Sequence, residues 1–248
     1  MKTLFCCLGF ICWIMPGVAM AKEVKIAFGL SIPPYVFMDR NTGFELEVFR
    51  KALEFKHHVL VPIYVPLARL LDEFKEGKVD AIQRDFGINF TNNKDVFVSN
   101  TVVRYYASMI WLKESPFAYT EPRSLEGHSV LAFQGATYSK AISKACAKVM
   151  NTKNYSEISD QLAQARMLLE GRVKFVVADK YIFKYFMKEA VKQGVAKPKV
   201  LAYHLIEPEG YSEKAIFHDK NLRDDFNAGL KAIHRNGTFE KLQKEFLF

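Results

Sequence analysis

The sequence predicts an α/β protein of two lobes, each built on a mainly parallel β-sheet. Short β-rich runs alternate with amphipathic stretches, which is typical of strands joined by right-handed helical crossovers. The alternation occurs twice, on either side of a proline-punctuated link at residues 115–122. Two lobes of about 100 residues each match the common size of a domain.

The first lobe is expected to begin with a βαβαβ succession. Its β-rich runs are residues 24–28, 58–65 and 79–83. Between them, residues 43–56 carry a wide apolar face at helical spacing, and residues 67–76 form a short helix that Gly77 ends.

The second lobe repeats this style after a long extended segment at residues 102–113. Its expected strands are residues 129–133, 173–178 and 200–205, and its expected helices are residues 137–150, 159–170 and 180–192. Two final helices, 222–235 and 238–246, are separated by a C-cap signal at Asn236-Gly237. We therefore assign residues 22–113 and 207–248 to the first lobe and residues 114–206 to the second.

Residues 1–21 have the pattern of a cleaved signal peptide. Lys2 precedes an apolar run that is too short to span a bilayer, and Ala19-Met20-Ala21 supplies small residues at a cleavage site. The mature chain is expected to begin at Lys22, in the periplasm, with a net charge of +7 instead of +8.

The composition of the mature chain excludes several functions. Its lysines and arginines are scattered without a basic stripe, which predicts no nucleic-acid partner. Cys146 is the one cysteine after residue 21 and lies among apolar residues at helical spacing, so we interpret it as a buried small hydrophobe. The histidines show no metal-ligand spacing and there is no nucleotide-binding fingerprint, so we predict neither a metal nor a cofactor.

An ordered set of motifs resembles the family 3 extracellular solute-binding proteins, the receptors of polar amino-acid transporters. The motifs are PPYVF at 33–37, GFELE at 43–47, FKEGKVDAI at 74–82, FQGAT at 133–137, GRVKFVVAD at 171–179 and GTFEKL at 237–242. The resemblance covers nearly the whole mature chain. It implies a two-lobed type II periplasmic binding fold whose ligand sits between the lobes, where the carboxyl ends of the strands converge.

The resemblance and the local chemistry single out residues of the second lobe. Gly135, Ala136 and Thr137 join a strand to an expected helix, where free N–H groups and the Thr137 hydroxyl suit a carboxylate; alternatively, Thr137 only caps its helix. Asp179 follows an apolar strand and matches a family residue that binds an ammonium group. The alternative is an ordinary acid at the start of a helix.

In the first lobe, two aromatic residues follow the double proline. Tyr35 matches the family's platform for the ligand side chain, and Phe37 either shares that role or packs across the lobe.

The chain departs from the family where a carboxylate-binding arginine is expected. An ungapped reading places Asn92 there, and a shift of two residues offers Lys94. Arg84 and Asp85, followed by Phe86, stand on the expected cleft floor, so Arg84 is predicted to anchor an anion with Asp85 orienting it; alternatively they form a structural ion pair. Arg69 is a further candidate, or a solvated helix residue.

These residues favour a monomeric periplasmic receptor that captures a small polar, amino-acid-like or carboxylate ligand for a membrane permease, without catalysis. Two alternatives stay open. One is a cyclohexadienyl-dehydratase-like enzyme, in which Asp85 or Glu207 would supply an acid. The other is a co-receptor that presents its closed, ligand-bound form to a membrane sensor.

Overall fold

The computed structural model describes residues 22–90 and 94–248, so the expected signal peptide lies outside the described residues. The described residues form the strands β1 (Glu23–Phe28), β2 (Val59–Tyr64), β3 (Ala81–Ile82), β4 (Phe97–Tyr105), β5 (Ala107–Leu112), β6 (Val130–Phe133), β7 (Tyr155–Ile158), β8 (Phe175–Asp179), β9 (Leu201–Leu205) and β10 (Tyr211–Phe217). Their helices are α1 (Phe44–Glu54), α2 (Leu70–Lys75), α3 (Lys140–Ala145), α4 (Gln161–Leu169), α5 (Lys180–Lys192), α6 (Lys220–Arg235) and α7 (Thr238–Leu247).

The strands form two five-stranded sheets, which confirms the α/β class with two sheets. The first sheet has the order β2-β1-β3-β10-β4, and the second has the order β7-β6-β8-β5-β9. In the first, β1 pairs in parallel with β2 and β3, and β10 is antiparallel to its neighbours. In the second, β6 pairs in parallel with β7 and β8, while β5 is antiparallel to β8 and β9.

The chain passes between the sheets at Tyr106 and again at residues 206–210. The first crossing therefore lies at Tyr106 and not at residue 113. The sequence predicted one extended segment because residues 97–112 are almost continuously extended. Only their hydrogen-bond partners distinguish β4 from β5.

Helices α1, α6 and α7 cover one face of the first sheet. The Phe28 and Phe49 rings meet edge to face at 5.1 Å, and Phe49 packs on Phe226 at 5.0 Å. Where α6 crosses α1, a Cβ atom on Gly229 would lie 1.8 Å from the carbonyl oxygen of Ala52. The close approach of these helices therefore requires glycine at position 229.

Both faces of the second sheet are covered. Met109 and Val177 pack with Ile142 and Cys146 on one face, and α4 and α5 cover the other. Cys146 is fully buried, as expected, and burial raises the pKa of its thiol to about 12.

One expected element of the second lobe was wrong, and one strand was missed. The helix expected over residues 137–150 is limited to α3, because Ser139 caps it by accepting the Ile142 N–H at 3.3 Å. A short 3-10 turn, Ala136–Tyr138, precedes this cap. Strand β7 was not predicted, because the two middle residues of Tyr155–Ile158 are both polar and the run lacks the alternation typical of a strand.

Candidate ligand-binding cleft

Parallel pairing brings the ends of several strands to one edge of each sheet. Strands β1, β2 and β3 end together in the first lobe, and β6, β7 and β8 end together in the second. Ligands of α/β sheets bind beside such edges. The segments that follow carry four large side chains that are 44–92% exposed: Leu30, Leu67, Ile88 and Tyr138. We call the space between these two edges the candidate cleft.

Arg84, after β3, is held by an acid that the sequence did not point to. Its Nε donates to Glu213 Oε1 at 3.1 Å, and its Nη2 donates to Glu213 Oε2. Asp85, its expected partner, instead accepts the Gly87 N–H at 3.0 Å. The reason is sheet pairing: β10 lies antiparallel beside β3 and presents Glu213, while adjacent residues of an extended chain point apart. The Phe86 ring lies 5.5 Å from the Arg84 guanidinium carbon.

The Arg84–Glu213 contact is a two-pronged ion pair. Burial by itself lowers the pKa of Arg84, but the hydrogen bonds and charge of Glu213 raise it above its usual range. The Glu213 side chain is fully buried, whereas that of Arg84 is 23% exposed. Arg84 therefore presents a fixed positive charge to the edge of the first lobe.

A second buried acid lies behind this pair. Glu45, on α1, is fully buried and accepts a hydrogen bond of 2.7 Å from the Tyr105 hydroxyl through Oε2. Its Oε1 has no hydrogen-bond partner among the described residues. Burial, together with the charge of Glu213, raises the pKa of Glu45 to about 8. Glu45 is therefore protonated at neutral pH.

Tyr35 and Phe37 pack inside the protein in this structure. Tyr35 is fully buried, its ring lies 4.2 Å from that of Tyr105, and its hydroxyl lies 3.3 Å from Asp179 Oδ2. Phe37 is 7% exposed and meets the Tyr185 ring at 5.6 Å. Phe37 thus packs across the lobes, the alternative considered for it, whereas the Tyr35 ring packs within the first lobe and its hydroxyl reaches the second.

Asp179 is saturated by contacts within the chain. Its Oδ1 accepts the N–H groups of Tyr181 and Ile182 at 2.9 and 3.0 Å, which caps α5. Its Oδ2 accepts the Tyr106 N–H at 2.5 Å and faces the Tyr35 hydroxyl. These four donors match the acceptor capacity of a carboxylate. Burial raises the pKa of Asp179, against the effect of these hydrogen bonds.

The turn at Gly135, Ala136 and Thr137 holds a carboxylate of the protein itself. The N–H groups of Gly135 and Thr137 donate to Glu157 Oε2 and Oε1 at 2.7 and 3.0 Å. Glu157 lies on β7, and the Tyr155 hydroxyl donates to its Oε1 at 2.9 Å. The expectation that this turn suits a carboxylate thus has a local explanation, because Glu157 reaches it from the neighbouring strand.

Two further candidates, Arg69 and Lys94, lie at the surface. Arg69 donates to Glu73 at 2.7 Å, one helical turn away, and its side chain is 59% exposed. Lys94 is exposed, and Asn92 lies outside the described residues. Among residues 22–90 and 94–248, no three His, Cys, Asp or Glu side chains come together as a metal site.

Sequence reasoning missed Glu157, Glu213 and Glu45. Glu157 and Glu213 lie on β7 and β10, which lack a clear apolar–polar alternation, so the local pattern carries little signal for either acid. Glu45 is part of the quoted GFELE motif but carries no local sign of burial.

The family model for the bacterial extracellular solute-binding proteins, family 3, matches residues 24–248. The chain belongs to this family. A curated relative, the arginine-binding periplasmic protein of Mannheimia haemolytica, is 21% identical over 237 residues, which cover 92% of each chain. The family resemblance inferred from the motifs is thereby confirmed, and a solute-binding role is shared across the family.

Solved structures of this family's fold are also similar. The probable amino-acid ABC transporter extracellular-binding protein YtmK of Bacillus subtilis is 15% identical with a TM-score of 0.68, over 92% of this chain and 99% of that one. A histidine kinase sensor domain with similarity to periplasmic binding proteins is 18% identical with a TM-score of 0.63, over 92% and 96%. At these identities the structures show the shared type II fold. No helix in the described part of the chain combines the length and apolar character needed to cross a membrane.

Proposed function

We propose that the protein is an exported receptor that binds a small zwitterionic, amino-acid-like solute in the candidate cleft and delivers it to a membrane permease. The observation that carries this proposal is the Arg84 guanidinium. Glu213 engages two of its five N–H groups, so the others can bind a carboxylate at the edge of the first lobe. Export follows cleavage before Lys22, and the relatives named above support the amino-acid class.

Closure of the two lobes would complete the site. The exposed Leu30 and Leu67 of the first lobe and the exposed Tyr138 of the second supply apolar surface that a closed cleft buries around a solute. The protein would then bind the solute without chemical change. In particular, Asp85 already accepts the Gly87 N–H in a local turn, so it is a poor candidate for a catalytic acid.

Titration calorimetry with L-arginine, L-lysine, L-histidine and L-glutamine tests the proposal. Arg84→Lys keeps a positive charge beside Glu213 but loses the planar fork, so it should weaken binding by tenfold or more, about 1.4 kcal/mol. Arg69→Lys, an exposed arginine on the same edge, is the matched control and should bind like the wild type.

Two results would contradict this assignment. If Lys94→Ala abolishes binding while Arg84→Lys has no effect, the shifted register of the family arginine is correct. If the amino acid is recovered chemically altered after incubation, the protein is an enzyme. Uptake of the radiolabelled amino acid by cells distinguishes a transport receptor from a receptor for a sensor. Deleting a transport receptor reduces uptake, whereas deleting a receptor for a sensor does not.

A further inference from the structure

Two carboxylates lie near the strand ends of the second lobe, and they differ in what they can still bind. Asp179 is 7% exposed and its four hydrogen-bond donors come from the chain itself. Glu157 is partly exposed, and its Oε2 accepts the Gly135 N–H. A cationic ligand group therefore has access to Glu157 but not to Asp179.

The charge of Glu157 is also not neutralised by a cation. Its hydrogen-bond partners are the backbone N–H groups of Gly135 and Thr137 and the hydroxyls of Tyr155 and Thr137, all of which are neutral donors. Burial by itself raises the pKa of Glu157, but these hydrogen bonds outweigh it and lower the pKa below its usual value. Within the described residues it forms no ion pair. Glu157 thus keeps a full negative charge in a fixed orientation.

The position of this charge matches that of a ligand contact. Strand β7 ends at the same edge as β6 and β8, and the Gly135 turn that holds Glu157 continues into Tyr138. The Tyr138 side chain is 92% exposed beside this turn. An exposed aromatic ring next to a fixed carboxylate is a surface that binds an ammonium or guanidinium group.

We propose that Glu157, and not Asp179, recognises the cationic group of the solute. Arg84 on the first lobe and Glu157 on the second then supply opposite charges to the two ends of a zwitterion. This inference rests on the proposed function, and it adds that the Gly135–Thr137 turn positions a protein carboxylate and does not bind the carboxylate of the solute.

Three variants separate the charge of Glu157 from its shape. Glu157→Gln keeps the shape and a hydrogen-bond acceptor but removes the charge, and Glu157→Asp keeps the charge on a shorter side chain. Asp160→Asn, three residues away, removes a carboxylate from the α4 cap, where asparagine also caps well, and serves as the control. Circular dichroism and thermal melting establish that each variant is folded.

Affinity for L-arginine, L-lysine, L-histidine and L-glutamine is then measured by calorimetry. Glu157→Gln should weaken the binding of each amino acid that the wild type binds by about tenfold or more, because it removes one charge of a close pair. Glu157→Asp should retain more affinity than Glu157→Gln, and Asp160→Asn should stay within about twofold of the wild type.

Four results would overturn the inference. Unchanged or increased affinity in Glu157→Gln would mean that the carboxylate is structural or blocks an anion site. Weaker binding in Glu157→Asp than in Glu157→Gln would mean that shape, not charge, matters. If Arg84→Lys weakens binding while Glu157→Gln does not, the proposed function stands and this inference fails. If none of the four amino acids binds the wild type, both fail.

Discussion

Arg84 and Glu157 carry opposite charges at the edges of the two lobes, and the protein holds them by different means. Arg84 is fixed by Glu213, an acid that is fully buried on the neighbouring strand. Glu157 is fixed by two backbone N–H groups and by the hydroxyls of Tyr155 and Thr137. A charge held by a buried counter-charge is tied to folding, because loss of either partner leaves the other unpaired. A charge held by neutral donors is not tied to folding in this way.

The largest difference is expected when each support is removed. Glu213→Ala leaves the Arg84 guanidinium mostly buried without a counter-ion and should lower the free energy of unfolding by about 3 kcal/mol. Glu157→Ala exposes polar groups that water can reach and should cost about 1 kcal/mol. Urea unfolding measures both values.

A double variant is the control for this comparison. Arg84→Met with Glu213→Met removes the pair together, and it should be closer to the wild type in stability than Glu213→Ala is. Equal losses in Glu213→Ala and Glu157→Ala would remove the distinction between the two kinds of support.

The acid behind the ion pair gives the first lobe a pH dependence opposite in sign to that of the Glu157 turn, because the pKa of Glu45 is raised and that of Glu157 is lowered. The pKa of Glu45 is raised in the folded state from its usual value near 4.5 to about 8. The folded state therefore binds this proton more tightly, and stability should fall as the pH rises from about 4.5 to 8 and level off above it. The fall should amount to a few kcal/mol, since one pKa unit corresponds to about 1.4 kcal/mol.

Glu45→Gln isolates this contribution, because glutamine is neutral at every pH. The free energy of unfolding, measured from pH 5 to pH 9, should fall less in the variant than in the wild type, and the variant should be more stable at pH 9. Parallel curves for the two proteins would show that Glu45 does not hold its proton in the folded state.

The smallest effect on stability is expected at Arg69, the exposed arginine at the edge of the first lobe. Arg69 pairs with Glu73 at 2.7 Å, but its side chain is 59% exposed, in contrast to the enclosed Arg84. Arg69→Ala should therefore change the free energy of unfolding by no more than about 1 kcal/mol. Thermal melting in low and high salt measures this effect, and a loss as large as that of Glu213→Ala would place Arg69 in a buried network instead.

The sequence predicted the fold better than it predicted the site. Apolar periodicity located α1, α5 and β8, because helices and buried strands leave a local pattern. The division of residues 97–112 into β4 and β5 has no such pattern, since it is decided by which distant strand each half pairs with.

The contacts of the candidate site could not be predicted for a related reason: they join residues that are far apart in the sequence. Arg84 and Glu213 are 129 residues apart, and Glu157 lies 22 residues after Gly135. The motif FQGAT correctly indicated a turn with free N–H groups, but it carried no information about the acid that reaches them. Asp179 matched the family motif, yet two of its four internal donors come from Tyr35 and Tyr106, which the local sequence does not contain.

Because a single residue, Tyr106, joins β4 to β5, the strands of the second sheet lie at different distances from this link between the lobes. If one lobe rotates about an axis that runs along β5, each strand moves in proportion to its distance from β5, and adjacent strands lie about 4.8 Å apart. Strand β8 is the immediate neighbour of β5, while β7 lies three strand positions away, about 14 Å. A rotation of about 20° would therefore move β7 by roughly 5 Å, some three times farther than β8. Such a rotation would move Asp179, on β8, only slightly and would move Glu157, on β7, by several times as much.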